Sequence, residues 1–141
     1  MKLQNVAIIG SGGRENALAW IIEKNDAIKN IYLIPGNAGS ENSKKCKRIL
    51  IDYLDRIILV EKLISLEIDL IIIGPETPLA DGLGEFLRSK NFLVFGPGSD
   101  GAKLESSKAW AKAFMKEANI PTSNSWEVSS IQQAKEIIYS N

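Results

Sequence analysis

The stretch NVAIIGSGGRENALAW, residues 5–20, passes from an apolar run through three glycines into a helical pattern, a succession typical of a strand, a tight turn and a helix in a parallel α/β sheet. The rest of the chain repeats the theme. NIYLIPG (30–36), a weaker RILI (48–51), DLIIIGPE (69–76) and FLVFGP (92–97) are the further apolar runs. Between them, helical patterns cover about 14–24, with Leu18, Ile21 and Ile22 on one face, then 54–66 and 79–90. Strands alternating with helices predict right-handed crossovers and a doubly wound, mainly parallel five-stranded sheet. DLIIIGPE, a continuous Ile/Leu run, suits a strand covered on both faces. Four of the runs end in glycine, at Gly10, Gly36, Gly74 and Gly96. Ligands of open α/β sheets bind beyond the carboxyl ends of the strands, so the expected site is the rim on which these turns converge.

After Gly98 the pattern changes. It predicts a short helical turn, a break near Ser106 and Ser107, an amphipathic helix to about residue 118, a strand within IPTSNSWEVSS (120–130), and a helix in IQQAKEIIYS (131–140) opening from Ser129 or Ser130. The expected division is a first domain over 1–103 and, over 104–141, a linker helix with the truncated opening of a second domain.

Seventeen Lys plus Arg balance seventeen Asp plus Glu, so no net field draws the chain to nucleic acid or an anionic membrane, and any anion site is local. No apolar run approaches membrane-spanning length and the N-terminus lacks a signal-peptide layout, so a cytoplasmic location is expected. Histidine is absent, which removes Ser-His-Asp triads, Cys-His dyads and histidine-containing zinc sites, and the single Cys46 leaves no internal disulfide and no four-cysteine zinc. Cys46 reads as an incidental surface thiol within KKCKR (44–48), itself a solvated loop. Trp20 and Trp110 read as core or domain-contact residues, and Lys103, Lys108, Lys112 and Lys116 as the solvated side of a helix.

The glycine loop is neither a dinucleotide fingerprint, since Glu15 stands where the third glycine belongs, nor a Walker loop, which needs Gly-Lys-Ser/Thr. Two readings stay open for it. It is a bare turn, or Gly12 and Gly13 let backbone amides approach an anion at a helix N-terminus, with Arg14 adding a charge-assisted bond. PGNAG (35–39) sets Asn37 on a glycine-flanked turn, which is either only a turn or a donor and acceptor for sugar hydroxyls. In GPETPL (74–79), Pro75 and Pro78 stiffen a loop whose one charge is Glu76, solvated or placed to hold hydroxyls or an amine.

GSGGREN (10–16) with ALAW behind it, PGNAG, IIIGPETPLADG (71–82), FGP (95–97) and LESSKAWAKAFM (104–115) followed by NIPTS together resemble the glycinamide ribonucleotide synthetase (phosphoribosylamine-glycine ligase) family of the ATP-grasp superfamily. The resemblance implies a Rossmann-like domain that precedes an ATP-grasp domain. It also implies an ATP-dependent carbon–nitrogen ligation in purine biosynthesis: glycine is activated as an acyl phosphate and attacked by the amine of 5-phosphoribosylamine. On this likeness Gly10, Gly12, Gly13, Arg14 and Glu15 would hold the ribose 5-phosphate. Gly36, Asn37, Gly39, Pro75 and Glu76 would hold the sugar and amine end, and Lys108 would approach the ATP phosphates. ATP and magnesium would be bound mainly by parts of the family's enzyme that lie beyond this chain; no catalytic residue and no metal ligand is assigned within it. The family commonly has His where this chain has Asn16. Its enzyme is about three times as long, so the chain is expected to be an N-terminal fragment inactive alone, with small-molecule substrates and neither nucleic acid nor membrane as partner. Alternatives are the N-terminal domain of another ATP-grasp ligase or carboxylase, and a non-catalytic sugar-phosphate or nucleotide-binding module.

Overall fold

A computed structural model describes residues 3–41 and 43–140. The chain divides into two compact units, Met1–Ala102 and Lys103–Asn141. The first carries a five-stranded sheet, all parallel, in the order β3-β2-β1-β4-β5. Its strands are β1 (Asn5–Gly10), β2 (Asn30–Pro35), β3 (Cys46–Arg48), β4 (Leu70–Ile73) and β5 (Val94–Phe95). β1 lies at the centre, pairing Ile8 with Leu33 of β2 on one side and with Ile72 of β4 on the other. The chain winds outward from β1 in both directions, so the topological switch point falls between β1 and β4.

Alternation along β1 sorts its side chains between two cores. Val6 and Ile8 join Ile31, Leu33 and Ile72 under Ala19 of helix α1 (Gly13–Ile22). Ala7 and Ile9 join Ile34, Ile71 and Ile73 on the other face. There they meet Leu59 and Leu63 of α2 (Arg56–Ser65), Leu79 of α3 (Glu76–Ala80), and Leu83 and Leu87 of α4 (Leu83–Ser89). Helices on both faces of a parallel sheet are what the continuous apolar strands demand, since neither face can meet water.

Several local expectations change. The third strand runs over Cys46–Arg48, ahead of the RILI run, because Ile31 pairs with Cys46 and Leu33 with Arg48. KKCKR is accordingly structural. Cys46 is buried against the α1 side of the sheet, and burial pushes its thiol above the ordinary range. Lys45 Nζ donates to the carbonyls of Glu23 and Asn25 at 2.8 and 2.9 Å, closing the C-terminal end of α1. On α1, Ile21 faces outward, and Trp20 is 59% exposed with Lys24 Nζ 3.2 Å from its ring centroid, so it is no core residue. The single helix expected over 79–90 is two, α3 and α4, parted at Gly82, whose φ of +76° is left-handed. α2 opens at Asp55, whose carboxylate accepts from the N–H groups of Ile57 and Ile58 at 3.1 Å each.

Helix α5 (Ser99–Ser106) begins in the first unit, where the Glu85 carboxylate accepts from the Ser99 N–H at 2.5 Å. The second unit contains α6 (Lys108–Glu117), N-capped by Ser107 through the Trp110 N–H, and α7 (Ile131–Ser140), where Ser130 Oγ accepts from the Gln133 N–H. Residues 120–128 form no strand, since the strand expected there meets no pairing partner. Their opening is held instead by Lys112, whose Nζ donates to Thr122 Oγ1, Ser123 O and Ser123 Oγ at 2.7, 2.7 and 2.9 Å, so this lysine is not simply solvated. Trp110 stacks on Phe114, ring centroids 5.4 Å apart. No helix among the described residues is long and apolar enough to cross a membrane.

Candidate functional site

The switch point brings three loops together. The β1–α1 loop (10–13), the turn after β2 (36–40) and the β4–α3 loop (74–76) lie at the carboxyl ends of adjacent strands, with Gly36 N donating to Gly10 O at 3.1 Å and Gly74 N to Ile9 O at 3.0 Å. Eight of the ten expected substrate residues fall in these loops, namely Gly10, Gly12, Gly13, Gly36, Asn37, Gly39, Pro75 and Glu76; the other two, Arg14 and Glu15, follow in the first turn of α1, where Glu15 turns back into the fold.

Glu15 organises the first loop. It is 3% exposed, and its Oε2 accepts from the Gly12 N–H at 2.6 Å, half of a capping box at the start of α1. Its Oε1 is buried, without a hydrogen-bond partner among the described residues, and lies 3.7 Å from Arg14 Nε. Glycines make the space for this carboxylate. A Cβ on Gly74 would stand 2.0 Å from Oε1, and one on Gly10 (φ +130°) 2.7 Å from the carboxyl carbon. The carboxylate is thus packed between Gly10, Gly12 and Gly74, where it ties the start of α1 to the ends of β1 and β4.

Gly13 is different, because a Cβ there would meet nothing within 4 Å. Packing does not require glycine at this first helical position. The N–H groups of a helix's first turn lack intrahelical acceptors; here the Gly12 N–H is taken by Glu15, and Gly13 next to it is exposed. Arg14, 54% exposed in its side chain, reaches across the switch point to place Nη2 3.5 Å from Glu76 Oε2. The rim therefore carries a cation and a carboxylate side by side.

The turn after β2 is tied down by a network of side-chain amides. Asn37 Oδ1 accepts from Asn16 Nδ2 at 2.9 Å and from the Gly39 N–H at 2.8 Å, while Asn37 Nδ2 donates to Ser11 O at 2.7 Å. Ser40 Oγ accepts from the Asn37 N–H at 2.8 Å and donates to Asn16 Oδ1 at 2.9 Å. Sequence reasoning did not single out Ser11 or Ser40. The available signal was the serine three residues beyond Asn37, the spacing of a side chain returning to its own turn.

Residues 4–105 match the family model of the phosphoribosylglycinamide synthetase N domain. The chain belongs to that family. It is 38% identical over 133 residues to the phosphoribosylamine–glycine ligase of Nostoc sp., covering 94% of this chain and 31% of that protein. It is 41% identical over 117 residues to the ligase of the same name from Clostridium acetobutylicum, covering 83% and 28%. With the human trifunctional purine biosynthetic protein adenosine-3 it shares 43% over 117 residues, 83% of this chain and 12% of that one. The chain thus spans about three tenths of the first two relatives' length. Among solved structures, the biotin carboxylase domain of the Hydrogenobacter thermophilus 2-oxoglutarate carboxylase superposes with a TM-score of 0.68 at 16% identity, over 99% of this chain and 33% of that one. The biotin carboxylase subunit of pyruvate carboxylase gives 0.59 at 18%, over 98% and 33%. Identities this low speak for the fold.

The Asn16 amide is the hinge of the network above. Lys108 opens α6 in the second unit. There it lines a largely apolar cleft of about 770 Å³ with Lys112, Lys116, Trp126, Glu127 and Ile137. Magnesium fits poorly. Among the described residues no three His, Cys, Asp or Glu side chains gather into a metal-binding group.

Proposed function

We propose that this chain is the substrate-holding N-terminal part of a phosphoribosylamine–glycine ligase, and that its switch-point rim binds the sugar phosphate. The observation that carries the reading is the pairing of opposite charges there: Arg14 and Glu76, 3.5 Å apart, beside the exposed Gly13 at the N-terminus of α1. A simple anion would meet the repulsion of Glu76. A ligand with a phosphate at one end and hydroxyls or an amine at the other satisfies both halves, and 5-phosphoribosylamine and its glycinamide product have that form. Gly10, Gly12, Gly36, Gly39 and Pro75 shape the rim; Glu15 and Asn37 act by holding it.

In the ligation, ATP activates the glycine carboxylate and the sugar's amine displaces the phosphate. This chain orients the amine-bearing partner and contributes Lys108 to the ATP phosphates. The chain spans about three tenths of its longer relatives, and the remainder of those proteins would complete the ligation and hold the magnesium. The setting is purine biosynthesis in the cytoplasm. Titration calorimetry tests the reading: the chain should bind glycinamide ribonucleotide and ribose 5-phosphate, and Glu76→Gln should weaken the ribonucleotide while inorganic phosphate binds as tightly or more tightly. Coupled ADP-release assays with glycine and phosphoribosylamine should give no turnover by the chain alone. Tight binding of ATP at the glycine loop, in place of the sugar phosphate, would reverse the assignment and favour a nucleotide-binding module.

A further inference from the structure

The amide network beside the rim has one solution for its protons. The Asn37 amide is oriented by backbone at both ends, since its Oδ1 accepts from the Gly39 N–H and its Nδ2 donates to Ser11 O. Asn16 must then present a donor to Asn37 Oδ1. The Asn37 N–H must donate to Ser40 Oγ, so the Ser40 hydroxyl hydrogen goes to Asn16 Oδ1. A side-chain amide has two donors and two acceptor sites. Those of Asn37 are spent on Asn16, Gly39, Ser11 and, at 3.4 Å, the Gly12 carbonyl. Asn37 has nothing left for a ligand. What it does have is a grip on Ser11 and Gly12, the residues that set the glycine loop's path into α1.

We infer that Asn16 and Ser40 are positioning residues: through Asn37 they latch the turn after β2 onto the glycine loop, so that both loops meet the ligand as one preformed surface. Ser40 is 2% exposed, so the latch is shielded from competing water at its base, and a satisfied buried network holds a single arrangement. Preorganisation removes the cost of ordering two loops at the moment of binding. A ligand that spans both loops depends on the latch, whereas one that touches only the N-terminus of α1 depends on it far less. The inference rests on the sugar-phosphate reading above.

Asn16→Asp separates the possibilities, because the change is isosteric and reversible by pH. The ionised carboxylate has no donor for Asn37 Oδ1 and opens the latch; the protonated acid donates through its hydroxyl, accepts from Ser40 through its carbonyl, and closes it. The latch is therefore closed below the carboxyl's pKa and opens as pH rises through it; the facing Asn37 oxygen raises that pKa, and the Ser40 hydroxyl and the Arg14 cation lower it. The other ionisable groups nearby, Arg14 and Glu15 on α1 and Glu23 and Cys46 around the adjoining cavity of about 410 Å³, are common to parent and variant. Ratios between the two cancel them, together with the ligand's own phosphate titration.

Amide exchange at Asn37 and Gly39 reports the latch, and calorimetry of the full chain with ribose 5-phosphate and with inorganic phosphate reports its use. At pH 7.5 exchange at both amides should be about tenfold faster than in the parent, and ribose 5-phosphate affinity about tenfold weaker, with inorganic phosphate little changed. Both differences should shrink as pH falls through the carboxyl's pKa. Ser40→Ala should show the neutral-pH losses without recovery in acid. Unchanged exchange in Asn16→Asp would mean there is no latch. Faster exchange with sugar-phosphate affinity intact would make the network structural only and overturn the positioning role. Failure of the parent to bind ribose 5-phosphate would instead overturn the functional reading, and the positioning role with it.

Discussion

The two units of the chain are built from similar amounts of apolar sequence per residue and use it in opposite ways. In Met1–Ala102 the strands are flanked by helices on both faces, and Ile8, Ile9, Ile31, Leu33, Leu59 and Leu63 are fully enclosed. In Lys103–Asn141 two main helices and an extended segment enclose little more than Ala111, and Trp126, Val128, Ile131, Ile138 and Tyr139 face outward. Amphipathic pattern alone does not make a core. A helix buries its stripe only where a second layer exists to receive it, and β1 supplies that layer twice over in the first unit. Order in the second unit rests on local devices: the Ser107 and Ser130 caps and the Lys112 clamp on Thr122 and Ser123.

The sharpest way to break this contrast is to delete apolar volume from each side. Leu63→Ala, at a position with no exposure, should cost about 2–5 kcal/mol in chemical denaturation. Ile131→Ala, 79% exposed, should stay within about 0.5 kcal/mol. Equal losses would show that α7 packs as a core element. A smaller effect tests the glycines. Gly74→Ala drives a Cβ into the buried Glu15 carboxylate and should cost about 1–3 kcal/mol. Gly13→Ala meets open space and should leave the melting temperature nearly unchanged; a large loss there would mean that the protein, and not a ligand, needs that glycine.

The smallest effect concerns the junction of the first unit with α5. The Ser99 N–H holds the Glu85 carboxyl below its ordinary value. A depressed folded pKa stabilises above the unfolded value and is lost as pH falls through the folded one. Parent and Glu85→Gln should therefore differ modestly in melting temperature at neutral pH and converge in acid. Glu85 is exposed, so salt should shrink the difference further. A gap that widens in acid would remove Glu85 from this role.

Much of the first unit is legible in the sequence because each strand is a short apolar run ending in Gly or Pro, and those endings mark the rim as well. What escapes is whatever depends on a tertiary partner. Cys46 sits among lysines, and only its pairing with Ile31 puts it inside. Lys45 and Lys112 look solvated until the carbonyls they cap come within reach. The break between α3 and α4 was written in Asp81-Gly82, a turn pair inside a helical pattern. At the site, the residue types of the glycine loop were readable, but their division of labour was not: Glu15 and Asn37 carry polar groups that suit a ligand, and the fold has already engaged them.

The central claim, that the open end of α1 holds the sugar's phosphate, is tested most directly by titrating ribose 5-phosphate into the parent, Arg14→Ala and Gly13→Val, with circular dichroism confirming that each is folded. A charge-assisted hydrogen bond to phosphate contributes about 1.5–3 kcal/mol, so Arg14→Ala should bind about tenfold to a hundredfold more weakly. Gly13→Val, which adds bulk where the protein leaves open space, should weaken binding at least as much. Folded variants that bind ribose 5-phosphate as tightly as the parent would contradict the account.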